Sequence, residues 1–225
     1  MWAGPVSSRG VLGMKTVRKK IAQTLLGAGL VLWLGLAGAP PHAAAANAAG
    51  ADTVRGLYDA LLANMQSGAA LGARGRYARI EPVVRGAFNV QFMARLAVGP
   101  EWERLAEAQR RQVAEAFEHY IAAIYAERFD SYAGERLRVT GEQPLAGGTI
   151  ITTEIIKSNG ESISLNYLLR QNGGAWQIAD VYLNGTISEL ATRRSEFGSI
   201  LRTRGIEGLI AMLNTKADML SARAS

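Results

Sequence analysis

Residues 134–185 read GERLRVTGEQPLAGGTIITTEIIKSNGESISLNYLLRQNGGAWQIADVYLNG. Four runs of strand-like composition lie in this stretch, at about 137–142, 149–157, 161–170 and 175–183. Gly147-Gly148, Asn159-Gly160 and Asn172-Gly173-Gly174 separate them. Such pairs are hairpin signals, Asn-Gly the strongest, because a type I′ turn needs positive φ at both central positions. The run 161–170 alternates cleanly, with Ile163, Leu165, Tyr167 and Leu169 on one face. Period-two alternation marks a strand with one buried side. The stretch therefore predicts a four-stranded antiparallel meander.

The period is helical on both sides of it. Upstream, Val54, Leu57, Leu61, Leu62 and Met65 recur at helical spacing behind a possible cap at Asp52 or Thr53. A glycine-broken linker is expected over 67–76, and helix again from Tyr77, with Pro82 in its first turns. The segment 90–98 carries Phe92, Met93 and Leu96 before Gly99-Pro100 stops it. A long helix is then predicted over 100–132. Its apolar stripe holds Trp102, Leu105, Val113, Phe117, Tyr120, Ile121 and Ile124. His119 lies off that stripe and is expected to face water. Downstream, Thr186-Ile187-Ser188-Glu189 fits a capping box. Leu190, Phe197, Ile200 and Leu201 form the buried face of the helix it opens, Gly205 ends that helix, and a last one carries Ile206, Leu209, Ile210 and Leu213. The fold class is α+β, with helices before and after one sheet.

The first 48 residues read differently. Arg9, Lys15, Arg18, Lys19 and Lys20 precede 18 uncharged residues from Ile21 to Gly38, and no acid occurs before Asp52. Small residues follow, and cleavage is expected after Ala48. A basic start, an apolar centre and an Ala-rich exit are the parts of a secretory signal. The alternative is a retained anchor, for which 18 residues approach the ~20 that span a bilayer. Met14 offers a more ordinary start than Met1. The leader also explains the charge. The chain is +6 overall, but beyond Ala48 it holds 20 basic and 19 acidic residues, a net +1. A basic partner-seeking surface, and nucleic acid with it, drops out. With no cysteine there is neither a disulfide framework nor a lipidation site. The expected destination is the periplasm of a Gram-negative cell.

Catalytic chemistry has little to work with. His119 is the one histidine beyond the leader, and no metal-ligand spacing, phosphate loop or nucleophile elbow is present. No cofactor is expected. What remains is an excess of apolar side chains, which serve equally as core or as the wall of a pocket between sheet and helices.

Residues 88–142, beginning FNVQFMARLAVGPEW, resemble the central segment of the MlaC / toluene-tolerance family of periplasmic lipid-binding proteins. Phe92, Met93-Ala94-Arg95-Leu96-Ala97, Gly99, Trp102, Gln112, Phe117, Tyr125-Ala126, Tyr132 and Gly134-Glu135 stand at that family's positions. Tyr167, Trp176, Asp180-Val181, Gly185, Arg194, Phe197 and Gly205 continue the match. After the last strand the family usually reads GVSLV.NYR.QF, whereas this chain has GTISELATRRSEF over 185–197. That variant is similar to the hopanoid-associated branch, HpnM.

The resemblance implies one lipid-binding domain over 49–225 and a shuttle role, without catalysis, between an inner-membrane lipid transporter and an outer-membrane acceptor complex. The cargo it implies is a hopanoid or a phospholipid, held in an apolar cavity between sheet and helices. The expected cavity wall is Phe92, Leu96, Phe117, Ile121, Ile151, Ile155, Leu165, Tyr167, Trp176, Ile187 and Phe197. Two other readings compete. An isomerase or hydrolase of small apolar compounds would place a polar dyad inside the pocket, for example Asp180 bonded to Tyr167. A ligand-free envelope adaptor would lack a cavity of about 300 Å³ or more.

Overall fold

The hairpins form at the expected turns. The computed structural model describes residues 41–222, with side chains from Ala49 onward, and these belong to one compact unit. The leader reading falls on residues 1–40 and on side chains 41–48, outside the described residues. Strands β1 (Arg136–Leu145), β2 (Gly148–Ile156), β3 (Ser162–Asn172) and β4 (Ala175–Leu183) pair antiparallel in chain order. Pro144 is tolerated because β1 is an edge strand. On β2 and β3, the side chains of Ile151, Thr153, Tyr167 and Leu169 are buried on one face. In β4 a bulge leaves Ala179 unpaired between Leu168↔Asp180 and Leu169↔Ile178. The extra residue allows both Ile178 and Val181 to turn inward although they are three apart.

The sheet has five strands, not four. The chain reverses once more at Asn184-Gly185, where φ is +52° and +76°. Ile187–Ser188 then pairs with Tyr182 and Leu183 as β5. This Asn-Gly is the same signal that marks the earlier hairpin, but it stands beside the Thr-x-x-Glu pattern that suggests a capping box. The turn takes precedence, so Thr186 does not cap the helix. Ser188 does, its Oγ accepting from the Ala191 amide at 2.9 Å.

The helices are α1 (Pro41–Gln66), α2 (Gly68–Ala87), α3 (Val90–Val98), α4 (Glu107–Arg128) and α5 (Glu189–Ala222). The expected linker over 67–76 is helical, bent at Gly72. Gly68 permits it, since a Cβ there would lie 1.8 Å from the Asp130 carbonyl oxygen. Arg76 ties the same corner, donating to the carbonyls of Ala126 and Gly68. The helix expected over 100–132 is two elements. A 3₁₀ segment, Gly99–Arg104, holds Pro100 in its first turn, and α4 starts afresh after Leu105, where the Ala106 amide donates to the Gln109 side chain. Helix α5 bends at Gly205, whose φ of +64° and ψ of −170° lie in a region essentially reserved for glycine.

Helix α4 organises the remainder because both its sides are used. Ala116, Ala122, Ala123 and Ala126 are buried on one side, and these small residues let α2 and α5 approach closely. His119 belongs to this side. It is half-buried rather than water-facing, its ring 5.2 Å from that of Tyr77 and its Nε2 3.8 Å from Asp218. The amphipathic pattern shows only the wider stripe, so the second, alanine-built contact face is read as solvent. The other side of α4 carries Phe117, Tyr120, Ile121, Ile124 and Tyr125. The main backbone contacts of α4 are with α2, α3 and α5. A gap is left between α4 and the strands.

Candidate functional site

The gap is a cavity of about 230 Å³. That is short of the ~300 Å³ at which ligand sites usually begin, so a bulky cargo has to widen it. One wall is α4, through Phe117, Tyr120, Ile121, Ile124 and Tyr125, continued by Arg128 and Phe129. The facing wall is the sheet: Ile155, Ile163, Leu165, Val181 and Leu183. Phe88 and Met93 close one side, and Glu189, Leu190 and Arg193 of α5 close another. Aromatic rings brace the helical wall, with Phe117 against Phe197 at 5.6 Å and Phe88 against Tyr125 at 5.5 Å between centroids.

Charge is confined to three of these side chains. Arg193 is held between Glu189 at 3.2 Å and Glu196 at 2.8 Å, with its guanidinium 5.6 Å from the Tyr120 ring centre. Arg128 is exposed beside the Tyr125 turn. Everything else on the wall is apolar or aromatic, so the site can bury hydrocarbon and meet a polar group at its edge.

Four expected wall residues, Phe117, Ile121, Ile155 and Leu165, are brought together here. The other seven are placed elsewhere. Ile151 and Tyr167 are fully buried further along the same sheet face, and Phe197 backs Phe117 from behind. Trp176 is half-buried against the core, its carbonyl accepting from Thr53. Phe92 lies on the outer side of α3 under the Arg170 guanidinium, 5.3 Å from its ring centre. Leu96, one turn further on, is 39% exposed, and Ile187 is 52% exposed. Both fall off the wall for local reasons. The buried side of α3 is Val90, Met93, Ala94 and Ala97, and Ile187 is taken into the edge strand β5.

Continuing the α4 stripe by one turn reaches Tyr125, Arg128 and Phe129, and stepping back two residues from Leu165 reaches Ile163. Both were accessible to periodicity. Glu189 and Arg193 were not, because they depend on where β5 ends.

Between α1 and the sheet, beside the cavity but not on its wall, polar side chains are buried. Tyr58 and Thr153 share a hydrogen bond of 2.5 Å, and the Thr153 hydroxyl also donates closely to the Leu165 carbonyl. Burial pushes the phenols of Tyr58, Tyr125 and Tyr167 above their ordinary range, Tyr167 most clearly. These hydroxyls stay neutral and serve as hydrogen-bonding groups, not as bases.

Asp180 makes no dyad with Tyr167. Its carboxylate accepts from the amides of Val181 at 2.7 Å and Leu190 at 3.1 Å and from Ser188 Oγ at 2.6 Å. It fastens the start of α5 to β4. His119 is not on the cavity wall. Among the described residues no group of three His, Cys, Asp or Glu could hold a metal, and no helix is long and apolar enough to cross a membrane.

The family described as MlaC protein matches residues 55–215. The chain belongs to the MlaC family. A solved structure with the same fold is that of a phospholipid-binding protein from Ralstonia solanacearum in complex with a phospholipid. It is similar at a TM-score of 0.66 and 17% identity, over 76% of this chain and 98% of the other. The matched stretch includes every residue that lines the cavity, from Phe88 to Arg193.

Proposed function

We propose that this MlaC-family protein carries membrane lipid through the periplasm. The apolar part of the lipid lies between α4 and the sheet, and its headgroup lies at the edge formed by Arg128, Glu189 and Arg193. The observation that carries this reading is the gap itself: large apolar side chains hold α4 off the sheet where an ordinary core would close. Burial of one methylene is worth ~0.8 kcal/mol, so a 16-carbon chain offers on the order of 12 kcal/mol before the costs of ordering and of widening the cavity. That suffices to hold a lipid in water, and an acceptor of similar depth suffices to take it away.

The lipid bound by the Ralstonia protein supports a phospholipid cargo, and the sequence over 185–197 supports a hopanoid. In the cell the protein passes its lipid between an inner-membrane transporter and an outer-membrane acceptor, after loss of the leader. The test is to purify the mature protein from the periplasm, extract it with solvent and identify the lipid by mass spectrometry. Near-stoichiometric phospholipid or hopanoid is the expected result. A protein repeatedly free of lipid would contradict the proposal.

A further inference from the structure

The three charged side chains on the cavity wall are not equally available. Arg193 is fully engaged: one terminal nitrogen donates to Glu189, the other to Glu196, and its guanidinium lies over the Tyr120 ring. It has little left to offer a ligand. Glu189 and Arg128 differ. Arg193 reaches only Oε2 of Glu189. Among the described residues nothing donates to Oε1 of that carboxylate, and no carboxylate pairs with Arg128. An acid at the start of α5 suits the helix dipole and pairs with a base four residues on. Those structural roles leave one carboxylate oxygen unused. Both free groups bear on one phenol. Burial chiefly holds Tyr125 above its ordinary range, while Arg128 draws it down and Glu189 pushes it up. Tyr125, Arg128 and Glu189 all line the cavity. The Glu189 side chain is 29% exposed, sheltered enough for a partner there to escape part of the screening that weakens surface pairs.

Resting on the carrier reading above, we infer that Glu189 selects the headgroup, accepting a hydrogen bond from a donor of the cargo while Arg128 holds its phosphate. The ligand class is a phospholipid whose headgroup carries both a phosphate and an N–H donor, of which phosphoethanolamine is the simplest. Its ammonium brings Glu189 a charge-assisted hydrogen bond, roughly twice as strong as a neutral one. A choline headgroup has the same charge but no N–H, so the carboxylate meets methyl groups instead. A site built to bond a donor discriminates against the analogue that lacks it.

The test mixes delipidated protein with vesicles holding equal amounts of palmitoyl-oleoyl phosphatidylethanolamine and phosphatidylcholine. The protein is recovered and its bound lipid read by mass spectrometry. The ratio of ethanolamine to choline lipid should be about fivefold higher on wild type than on Glu189→Gln. Arg128→Gln should lower the total lipid bound and leave that ratio as in wild type, because both lipids carry the phosphate. A second measurement needs no variant. The N,N-dimethyl lipid keeps one N–H and should compete with wild type like the ethanolamine lipid, so the loss falls on the last methyl group. A ratio unchanged in Glu189→Gln overturns the inference, as does equal binding of the dimethyl and choline lipids by wild type. If both lipids bind without preference, only the headgroup assignment fails. If neither binds, the carrier reading fails with it.

Discussion

Leu165→Trp should empty the protein of lipid without unfolding it. Leu165 lies midway along the sheet wall, paired with Leu183 and flanked by Ile163 and Tyr167 on the same face. In a filled core, a larger ring at this position would force its neighbours apart at a cost of about 1–3 kcal/mol. Here the indole has an unfilled volume of about 230 Å³ to enter. Stability should change by less than about 1 kcal/mol, because occupied space replaces a void. The lipid loses the same space. Solvent extraction should recover at least tenfold less lipid from the variant than from wild type, with an unchanged circular dichroism spectrum. Leu165→Met conserves volume and should retain its lipid.

Asp180→Ala should be the most damaging single change to stability. Three donors converge on this carboxylate: the Val181 and Leu190 amides and the Ser188 hydroxyl. Asp180 is only 7% exposed, so water cannot readily replace what is lost. Each buried donor left unsatisfied costs about 1–3 kcal/mol. With partial relaxation, a loss of roughly 3 kcal/mol is expected, read as a lower urea midpoint at an unchanged slope. Asp180→Asn keeps an acceptor for the amides and should lose about half as much. The effect on lipid follows from position, since Leu190 and Arg193 begin the helix that Asp180 fastens and both line the cavity. Lipid retention should fall with stability in Asp180→Ala, whereas in Leu165→Trp the two separate.

The strands could be read almost in full because each hairpin is marked twice, by alternation within the strand and by glycine at the turn. The fifth strand was missed where two valid local signals overlap, Asn184-Gly185 for a turn and Thr186 to Glu189 for a cap. Local patterns do not rank themselves, and pairing with Leu183 decides the outcome. The cavity was legible only in part. Phe117, Ile121, Ile155 and Leu165 follow from two periodicities meeting across a helix–sheet layer. Leu96 and Ile187 have the right chemistry on the wrong side of their elements. The alanine side of α4 explains the largest error, for His119, because hydrophobic patterning gives alanine little weight although it allows the closest helix contacts. Nothing in a single sequence distinguishes a residue that fills a core from one that faces a gap. That depends on whether α4 stands off the sheet.

Lipid transfer tests the carrier most directly. Donor vesicles containing a self-quenched fluorescent phospholipid are mixed with unlabelled acceptor vesicles, and dequenching is followed as the mature protein is added. The wild type should accelerate transfer in proportion to its concentration, and Leu165→Trp should not accelerate it above the protein-free rate. The decisive result for wild type is a rate that rises with protein while vesicle size stays constant. A wild-type rate equal to the protein-free rate, for phospholipid and hopanoid alike, would contradict the account.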